Sequence, residues 1–259
     1  MPAPFRSYVL VSREQIARNY RNVRAVVGPH VDVAGVVKAD AYGHGALEVS
    51  RVLVAEGAQW LAVSSVDEGV NLRSAGIHQT RILVMGGFLP YEGDRLVEYD
   101  LTPAVHSLDQ MRQVERLARA SGKPIRYHLK IDSGMGRLGT RASAGEILAT
   151  LAETPHPRAQ LEGLMTHFAS ATDYTTAQTH DQLAYFHSLS QQLREAGIEA
   201  AHLHTSSTNA IGYGRIEGWH TMVRAGHALY GYVSPARGDA PPQLLEVNQP
   251  SPGRPNSWP

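Results

Sequence analysis

The segment Val36-Val37-Lys38-Ala39-Asp40-Ala41-Tyr42-Gly43-His44-Gly45 links a predicted strand to a predicted helix. An apolar run precedes Lys38, and helix-forming sequence follows Gly45. A lysine at the end of a strand directs its amine into the space above the sheet, and a partly dry environment there makes the amine easier to deprotonate. Such an amine acts as a base or forms a Schiff base. A surface lysine is the alternative. The neighbouring Tyr42 hydroxyl and the two glycines, which let the backbone approach a ligand closely, favour the functional role.

Eight short apolar runs alternate with longer amphipathic stretches along the chain. The predicted strands are residues 31–37, 60–64, 82–85, 101–105, 125–131, 161–166, 201–205 and 221–224. The predicted helices are residues 13–27, 46–56, 66–75, 108–121, 144–153 and 176–196, with a shorter one from residue 90. No tight hairpin signal joins two strands, so parallel strands with helical crossovers fit best. We predict an α/β fold, a (β/α)8 TIM-type barrel, with a doubly wound open sheet as the alternative.

The composition excludes several classes of function. The 259 residues carry 24 basic and 24 acidic side chains, a formal net charge of +0, which gives no reason to expect nucleic acid or an anionic membrane as a partner. The absence of cysteine excludes disulfides, thiolate catalysis and cysteine metal sites. No apolar stretch is long enough for a signal peptide or a membrane span, so we expect a cytoplasmic protein.

The last part of the sequence differs from the rest. Residues 235–259 hold 7 of the 15 prolines and lack any helical or strand period. We therefore predict a barrel domain over residues 1–233, and a linker with a Pro-rich tail over residues 234–259. Because the segment from residue 248 cannot bury a core, we expect it to be disordered.

Polar and charged residues cluster where five of the predicted strands end. In a parallel barrel these carboxyl ends meet at one face, where barrel enzymes place their chemistry. Reading only these positions yields Lys38 and the segments 130–139, 166–169, 204–209 and 222–231 as candidates for the site. His202 and His204 alternate along one predicted strand, but no third ligand accompanies them at metal-ligand spacing, so we predict no metal site.

The segment Gly134-Met135-Gly136-Arg137-Leu138-Gly139 matches the dinucleotide-binding pattern G-x-G-x-x-G after a strand. Taken as a dinucleotide-binding motif, this pattern suggests a nicotinamide-dependent oxidoreductase. A dinucleotide-binding site of this kind also needs an acidic residue at the end of the next strand, which holds a ribose hydroxyl. The next predicted strand ends at Thr166-His167 instead, and the motif follows four earlier strands, so the pattern is weak evidence for this class.

Two motifs resemble a known family. VVKADAYGHG, residues 36–45, closely resembles the cofactor-lysine motif of the alanine racemases, which use pyridoxal 5'-phosphate (PLP), and KIDSGMGRLG, residues 130–139, is similar to a second signature of that family. The resemblance spans roughly residues 7–247. It implies that Lys38 binds PLP as a Schiff base and that Arg137 reaches the substrate and the phenolic oxygen of PLP. It also implies that Lys130 is carbamylated, as in some members, where the alternative is an ordinary lysine paired with Asp132.

The resemblance assigns the remaining candidates to the cofactor. Tyr42, Thr208 and the backbone N–H groups of Gly226 and His227 match the residues that bind the PLP phosphate. Most members carry Asn-Ser where this chain has Ser207-Thr208, so the role of Ser207 is less well supported than that of Thr208. Arg224 matches the arginine that faces the PLP ring nitrogen, where a residue that can only donate keeps this nitrogen unprotonated. A salt bridge that closes the barrel is the alternative for Arg224. His167 resembles a histidine beside that arginine, and a core histidine is the alternative.

The implied activity is that of an isomerase. It is the PLP-dependent interconversion of L-alanine and D-alanine, which supplies D-alanine for peptidoglycan in the cell wall. Lys38 would serve one face of the substrate, and in the family a tyrosine from a C-terminal β-domain of the partner subunit serves the other. Because the sequence ends before such a domain, we expect impaired racemisation. That domain also supplies the dimer contacts of the family, so the resemblance alone does not predict a homodimer here. A PLP-binding barrel without racemase turnover is the alternative function.

Overall fold

Eight parallel strands form a closed barrel in the computed structural model, which describes residues 9–250. The strands are β1 Asp32–Val36, β2 Trp60–Val63, β3 Arg81–Val84, β4 Thr102–Val105, β5 Ile125–Lys130, β6 Ala159–Met165, β7 His202–His204 and β8 Met222–Ala225. Their order is β7-β6-β5-β4-β3-β2-β1-β8, and every pair is parallel. The last seam, between β7 and β8, is closed by the Arg224 N–H, which donates to the Ser206 carbonyl at 3.0 Å. The barrel prediction is therefore confirmed, and the open-sheet alternative is wrong.

Helices follow most strands and cover the outside of the barrel. They are α1 Arg13–Val27, α2 Lys38–Gly43, α3 Ala46–Ala55, α4 Val66–Ser74, α5 Gly93–Glu98, α6 Leu108–Ser121, α7 Ala144–Ala152, α8 Gln178–Glu195 and α9 Thr208–Gly212, with short 3-10 helices at Pro90–Glu92, Ile216–Gly218 and His227–Tyr230. Local signals explain why the ends of α1 and α6 match the prediction. The Ser12 and Ser107 hydroxyls accept N-terminal N–H groups, and Gly122 ends α6 in the left-handed conformation. Among the residues described, no helix is long and apolar enough to cross a membrane.

Side chains alternate between two buried layers. Outward-facing strand residues such as Tyr127 of β5, and helix residues that face the strands, such as Leu53 of α3 and Phe186 of α8, belong to one continuous apolar core between the strands and the helices. Inward-facing residues, most of them on the first four strands, form a second apolar cluster that also includes Met165 of β6 and Met222 of β8. This alternation is the period-two pattern that a strand imposes, and it is what closes the barrel around a packed interior.

The segment after residue 233 lies against the barrel as far as residue 250. Leu245 is fully buried, and the Asn19 side chain donates to the Asn248 carbonyl at 2.8 Å. Residues 235–250 form no helix or strand. The disordered tail is predicted from residue 248, and residues 251–259 of it lie outside the described residues. The division into two regions at residue 233 stays a prediction.

Candidate active site

A cavity of about 540 Å³ opens at the carboxyl ends of the strands. Its lining brings together all the candidates from the sequence: Lys38, Tyr42, Lys130, Arg137, His167, Ser207, Thr208, Arg224, Gly226 and His227. Five strand ends that are far apart in sequence therefore contribute to one site. The sequence reasoning missed Ser64, Met85, Gly86, Asn209 and Ser234, which also line it. Ser64, Met85 and Gly86 lie directly after β2 and β3, at the strand ends where the site is expected. They were missed because none of them has an ionisable side chain.

Lys38 and Tyr42 reach the cavity from a left-handed turn. Residues 39–42 all have φ between 50° and 54°, although none is glycine. This conformation costs roughly 1–2 kcal/mol per residue, so the surrounding structure must hold it. The Glu68 carboxylate accepts the N–H groups of Ala39 at 2.8 Å and Ser64 at 2.6 Å, which clamps the turn against the end of β2. The Lys38 Nζ lies 5.8 Å from the centroid of the Tyr42 ring.

Arg224 is buried beneath the cavity and its terminal nitrogens are fully used. One terminal nitrogen donates to the carbonyl and the Nδ1 of His204, at 2.7 and 2.8 Å. The other donates to the carbonyls of Thr166 and Thr205, at 2.7 and 3.1 Å. No carboxylate in the described part of the chain pairs with Arg224, so the salt-bridge alternative is not supported. Of the N–H donors of Arg224, the Nε–H has no protein partner among the described residues. Burial lowers the pKa of Arg224 to about 10, so the group stays a cation at neutral pH.

Positive charge dominates the cavity. Four cationic side chains line it, those of Lys38, Lys130, Arg137 and Arg224, and no Asp or Glu of residues 9–250 does. Burial, followed by repulsion from Arg224 and Arg137, lowers the pKa of Lys130 to about 8. Concentrated like charge without counter-ions is unfavourable for the empty protein and favourable for an anionic ligand. The cavity is therefore suited to a ligand that carries several negative charges.

The loop after β5 is organised by Asp132. Its carboxylate accepts the N–H groups of Gly134 and Gly136 at 3.2 and 2.9 Å, and Arg141 donates to it at 2.9 Å. Within residues 9–250 no ion pair or hydrogen bond joins Lys130 to Asp132, whose carboxylate is held by its own loop and by Arg141. The next helix, α7, begins only at Ala144 behind its own cap. The G-x-G-x-x-G segment thus lacks the direct link to a helix that a dinucleotide site needs.

A group of polar atoms lies at the other end of the cavity. The Thr208 hydroxyl accepts from the N–H groups of Gly226 and Ala228, at 3.2 and 3.0 Å. A Cβ at Gly226 would lie 3.2 Å from the Tyr42 Oη, which explains why the residue is glycine. Backbone N–H groups and hydroxyls that converge in this way are a suitable phosphate site.

His167 contacts Arg224 with its Nδ1, 3.4 Å from a terminal guanidinium nitrogen. Burial, and then the charge of Arg224, lower the pKa of His167 to about 3, so the imidazole is neutral at physiological pH. His204 also bonds to Arg224. Within residues 9–250 no group of three His, Cys, Asp or Glu side chains is placed to hold a metal ion.

Comparisons with known proteins place this geometry in a family. The profile described as "Alanine racemase, N-terminal domain" matches residues 11–235. The alanine racemase of Synechocystis sp. is 36% identical over 237 residues, which cover 90% of this chain and 63% of that protein. The alanine racemase of Carboxydothermus hydrogenoformans is 37% identical over 238 residues, 92% of this chain and 62% of that protein. The chain thus spans slightly less than two thirds of the length of these relatives.

Solved structures give the same result. Alanine racemase of Clostridium difficile 630 in complex with cycloserine has a TM-score of 0.85 and 31% identity, over 94% of this chain and 66% of that one. Alanine racemase of Bartonella henselae, solved with covalently bound pyridoxal phosphate, has a TM-score of 0.79 over 94% of this chain and 68% of that one; at 22% identity it supports the fold alone. The family match, the sequence relatives and the barrel with its cationic cavity lead to one conclusion: this chain belongs to the alanine racemase family.

Proposed function

We propose that this chain is the PLP-binding barrel of an alanine racemase, an isomerase that interconverts L-alanine and D-alanine. The observation that carries the proposal is the cavity, in which Lys38, a buried arginine and a cluster of phosphate-binding groups converge without a carboxylate from residues 9–250. PLP is an aldehyde with a phosphate and a phenolic oxygen, and it needs an amine, a phosphate site and a partner for its ring nitrogen. The cavity residues fit each of these groups.

Individual residues would hold the cofactor as follows. Lys38 supplies the amine for the covalent bond. The phosphate would be bound by the Thr208 hydroxyl, the backbone N–H groups of Gly226 and His227, and the Tyr42 hydroxyl. Thr208, Gly226 and the Tyr42 Oη already lie close together. Ser207 lines the same end of the cavity.

Arg224 is suited to the ring nitrogen because its Nε–H has no protein partner within residues 9–250, while its terminal nitrogens are held by carbonyls and an imidazole. A guanidinium can only donate, so a nitrogen that accepts from it stays unprotonated. This limits how strongly the ring withdraws electrons and favours simple proton exchange over transamination. We propose that the neutral His167 supports Arg224 in this role.

Bound PLP withdraws electrons from the amino acid and so acidifies its Cα–H. Lys38 Nζ, once the substrate has taken its place, would remove and return the Cα proton from one face. Arg137 would pair with the substrate carboxylate and the phenolic oxygen. Inversion needs a second acid–base group on the opposite face. We propose that this group comes from the region that the relatives carry beyond the matched barrel, since the match covers only 62–63% of their length.

Lys130 is proposed as a site of carbamylation. Its pKa of about 8 leaves much of the amine neutral in mildly alkaline solution, and the neutral amine is the form that reacts with CO2. In this reaction the nitrogen forms a bond to carbon and loses one proton to solvent, and the product carboxylate would face Arg137 across the cavity. A cytoplasmic location remains a prediction from the sequence, and the homodimer is a property of the family that the resemblance alone does not predict for this chain.

The function is tested with the 259-residue polypeptide, PLP and L-alanine in D2O. We expect Lys38-dependent deuterium incorporation at Cα, with D-alanine formed about 10²–10⁴-fold more slowly than by the longer family members, the usual cost of one absent acid–base group. PLP binding without deuterium incorporation would instead support the PLP-binding barrel without turnover. Failure to bind PLP would refute both functions. Lys123→Ala, which changes a lysine outside the cavity, is the control.

A further inference from the structure

A chain of hydrogen bonds runs through the barrel interior beneath Arg224. A terminal nitrogen of Arg224 lies 2.8 Å from the Nδ1 of His204, and the Nε2 of His204 lies 2.8 Å from the Nδ1 of His128. The Nε2 of His128 lies 3.5 Å from the Oε2 of Glu162, a charge–dipole contact in which neither atom has a hydrogen-bond partner within residues 9–250. Both imidazoles are fully buried, and no role in the proposed reaction uses His128 or Glu162.

Donor chemistry fixes the direction of every bond in this chain. A guanidinium has no acceptor, so the His204 Nδ1 must accept and its Nε2 must carry the proton. That Nε2–H donates to the His128 Nδ1, which leaves the His128 Nε2–H to point at the Glu162 carboxylate. Burial supports neutral rings, since it lowers the pKa of His128 to about 4 and that of His204 well below its ordinary value.

The backbone is shaped to permit this arrangement. β5 and β6 change register between Tyr127 and His128, so Leu161 and Gly163 pair with these two residues and Glu162 is the extra residue of a β-bulge. Bulges re-aim side chains near functional sites. A Cβ at Gly163 would lie 2.6 Å from the His128 ring, so only glycine leaves room for the imidazole.

Glu162 is itself held in place. Arg81 donates to its carboxylate at 2.5 Å and lies 4.2 Å from the centroid of the Trp60 ring. Burial opposes ionisation of Glu162, but the nearby His128 and the hydrogen bond from Arg81 outweigh it and lower the pKa of Glu162 to about 2. The hydrogen-bonded chain from the buried cation therefore ends at His128, whose Nε2 faces a fixed negative charge.

We propose that Glu162 and His128 are positioning residues for Arg224. The Glu162 charge beside the His128 Nε2–H favours the same tautomers that the guanidinium imposes, and His204 in turn holds the guanidinium so that its Nε–H faces the cavity. Among residues 9–250 no carboxylate touches Arg224, so this chain is its link to a counter-charge. The tautomers follow from this protein alone; the benefit to PLP rests on the proposed function.

The tautomers are measured by long-range 1H–15N NMR on the 15N-histidine-labelled full chain without PLP at pH 7. We expect both His128 and His204 as neutral Nε2–H forms, assigned by the His128→Asn and His204→Asn variants. An Nδ1–H tautomer or a doubly protonated ring at either position would overturn the proposal. This result stands even if the protein binds no PLP, in which case only the proposed function fails.

The effect on the cofactor is measured by PLP titration and by the visible absorbance of the PLP-bound protein. We expect Glu162→Leu to weaken PLP binding about tenfold, roughly one hydrogen bond to a charged group, and to shift the absorbance band. Glu162→Gln, which keeps an acceptor for His128, should recover most of the affinity. The matched control is Glu115→Leu, because Glu115 is as buried as Glu162 (12% against 11% exposed) and is also paired with an arginine.

Equal PLP affinity and equal spectra for Glu162→Leu and Glu115→Leu would reduce Glu162 to a structural ion pair and overturn the positioning role. If Glu162→Leu fails to fold, Glu162→Gln and Gly163→Ala replace it. Gly163→Ala displaces the His128 ring without changing any charge, and it should alter the His204 tautomer signal and the absorbance band. Unchanged signals in this variant would also contradict the proposal.

Discussion

The two halves of the barrel interior differ in their chemistry. Strands β1 to β4 direct mostly apolar side chains inward, such as Ala34, Ala62 and Leu83, with Arg81 of β3 as a charged exception. Strands β5 to β8 direct His128, Lys130, His204 and Arg224 inward, and all four are buried. The outward faces of both halves are apolar and pack against helices. The fold therefore needs an apolar layer between the strands and the helices around the whole barrel. The inward-facing side chains of β5 to β8 are not needed for this layer and can form the site.

The polar half tolerates burial because the guanidinium and the two imidazoles bonded in sequence to it share hydrogen bonds, although the His128 Nε2 and the Glu162 Oε2 have no hydrogen-bond partner within residues 9–250. An unsatisfied buried polar group costs about 1–3 kcal/mol, so a loose arrangement of two imidazoles and a guanidinium would be unstable. Here Arg224 is held by three carbonyls and an imidazole. The difference teaches that the apolar half contributes stability by burial, and the polar half contributes a fixed cation at the floor of the cavity.

The largest effect is expected at Lys38, which follows β1 in the apolar half of the barrel. Its substitution should affect the reaction but not the stability of the fold. Lys38→Ala should abolish covalent PLP attachment and reduce Cα deuterium exchange by at least about 10²–10⁴-fold, while the melting temperature without PLP changes little. Exchange is measured by mass spectrometry of the recovered alanine. Retained exchange in Lys38→Ala would show that another group moves the proton.

The next effect tests the apolar half. Leu83→Ala should lower the free energy of unfolding by about 2–5 kcal/mol, because it removes a fully buried side chain from a packed interior. Urea denaturation measures this loss, and the absorbance band at saturating PLP should stay in place. A shifted band would mean that the two halves are coupled and that the comparison fails.

The polar half should be sensitive to acid. Burial lowers the pKa of His128 to about 4 and that of His167 to about 3, so these groups stay neutral in the folded chain. The unfolded chain takes up protons below about pH 6.5, so folding stability is lost as the pH falls from there towards 4. Between pH 7 and 5.5 each buried histidine should cost about 1 kcal/mol, measured by urea denaturation at both values. A pH-independent stability across this range would contradict the neutral, buried state of these rings.

The smallest expected effect concerns the loop that carries Arg137. Gly139 has φ +115°, and a Cβ there would lie 2.7 Å from the Asp132 nitrogen, so Gly139→Ala should destabilise the chain by roughly 1–3 kcal/mol and raise the KM for alanine. Gly145→Ala is the matched control, because a Cβ there meets only the Ser143 Oγ at 3.9 Å. Thermal unfolding of the two variants compares them, and equal melting temperatures would argue against a strained loop.

The sequence predicted the barrel and the cavity residues because both depend on local signals. β-branched runs identify the strands, serine caps and glycine stops identify the helix ends, and parallel strands bring their carboxyl ends together. Long-range features gave no such signal. The left-handed turn at residues 39–42 depends on Glu68, the bulge at Glu162 depends on the pairing of β5 with β6, and Asp132 is bound by its own loop rather than by Lys130.

The central claim is that Lys38 holds PLP in this cavity. The sequence has three lysines, Lys38, Lys123 and Lys130, so covalent attachment can be assigned without ambiguity. The PLP-loaded protein is reduced with borohydride, digested, and analysed by mass spectrometry. The account predicts the phosphopyridoxyl mass on the peptide with Lys38 and on neither other lysine. Label on Lys123 or Lys130 alone, or no label after saturation with PLP, would contradict it.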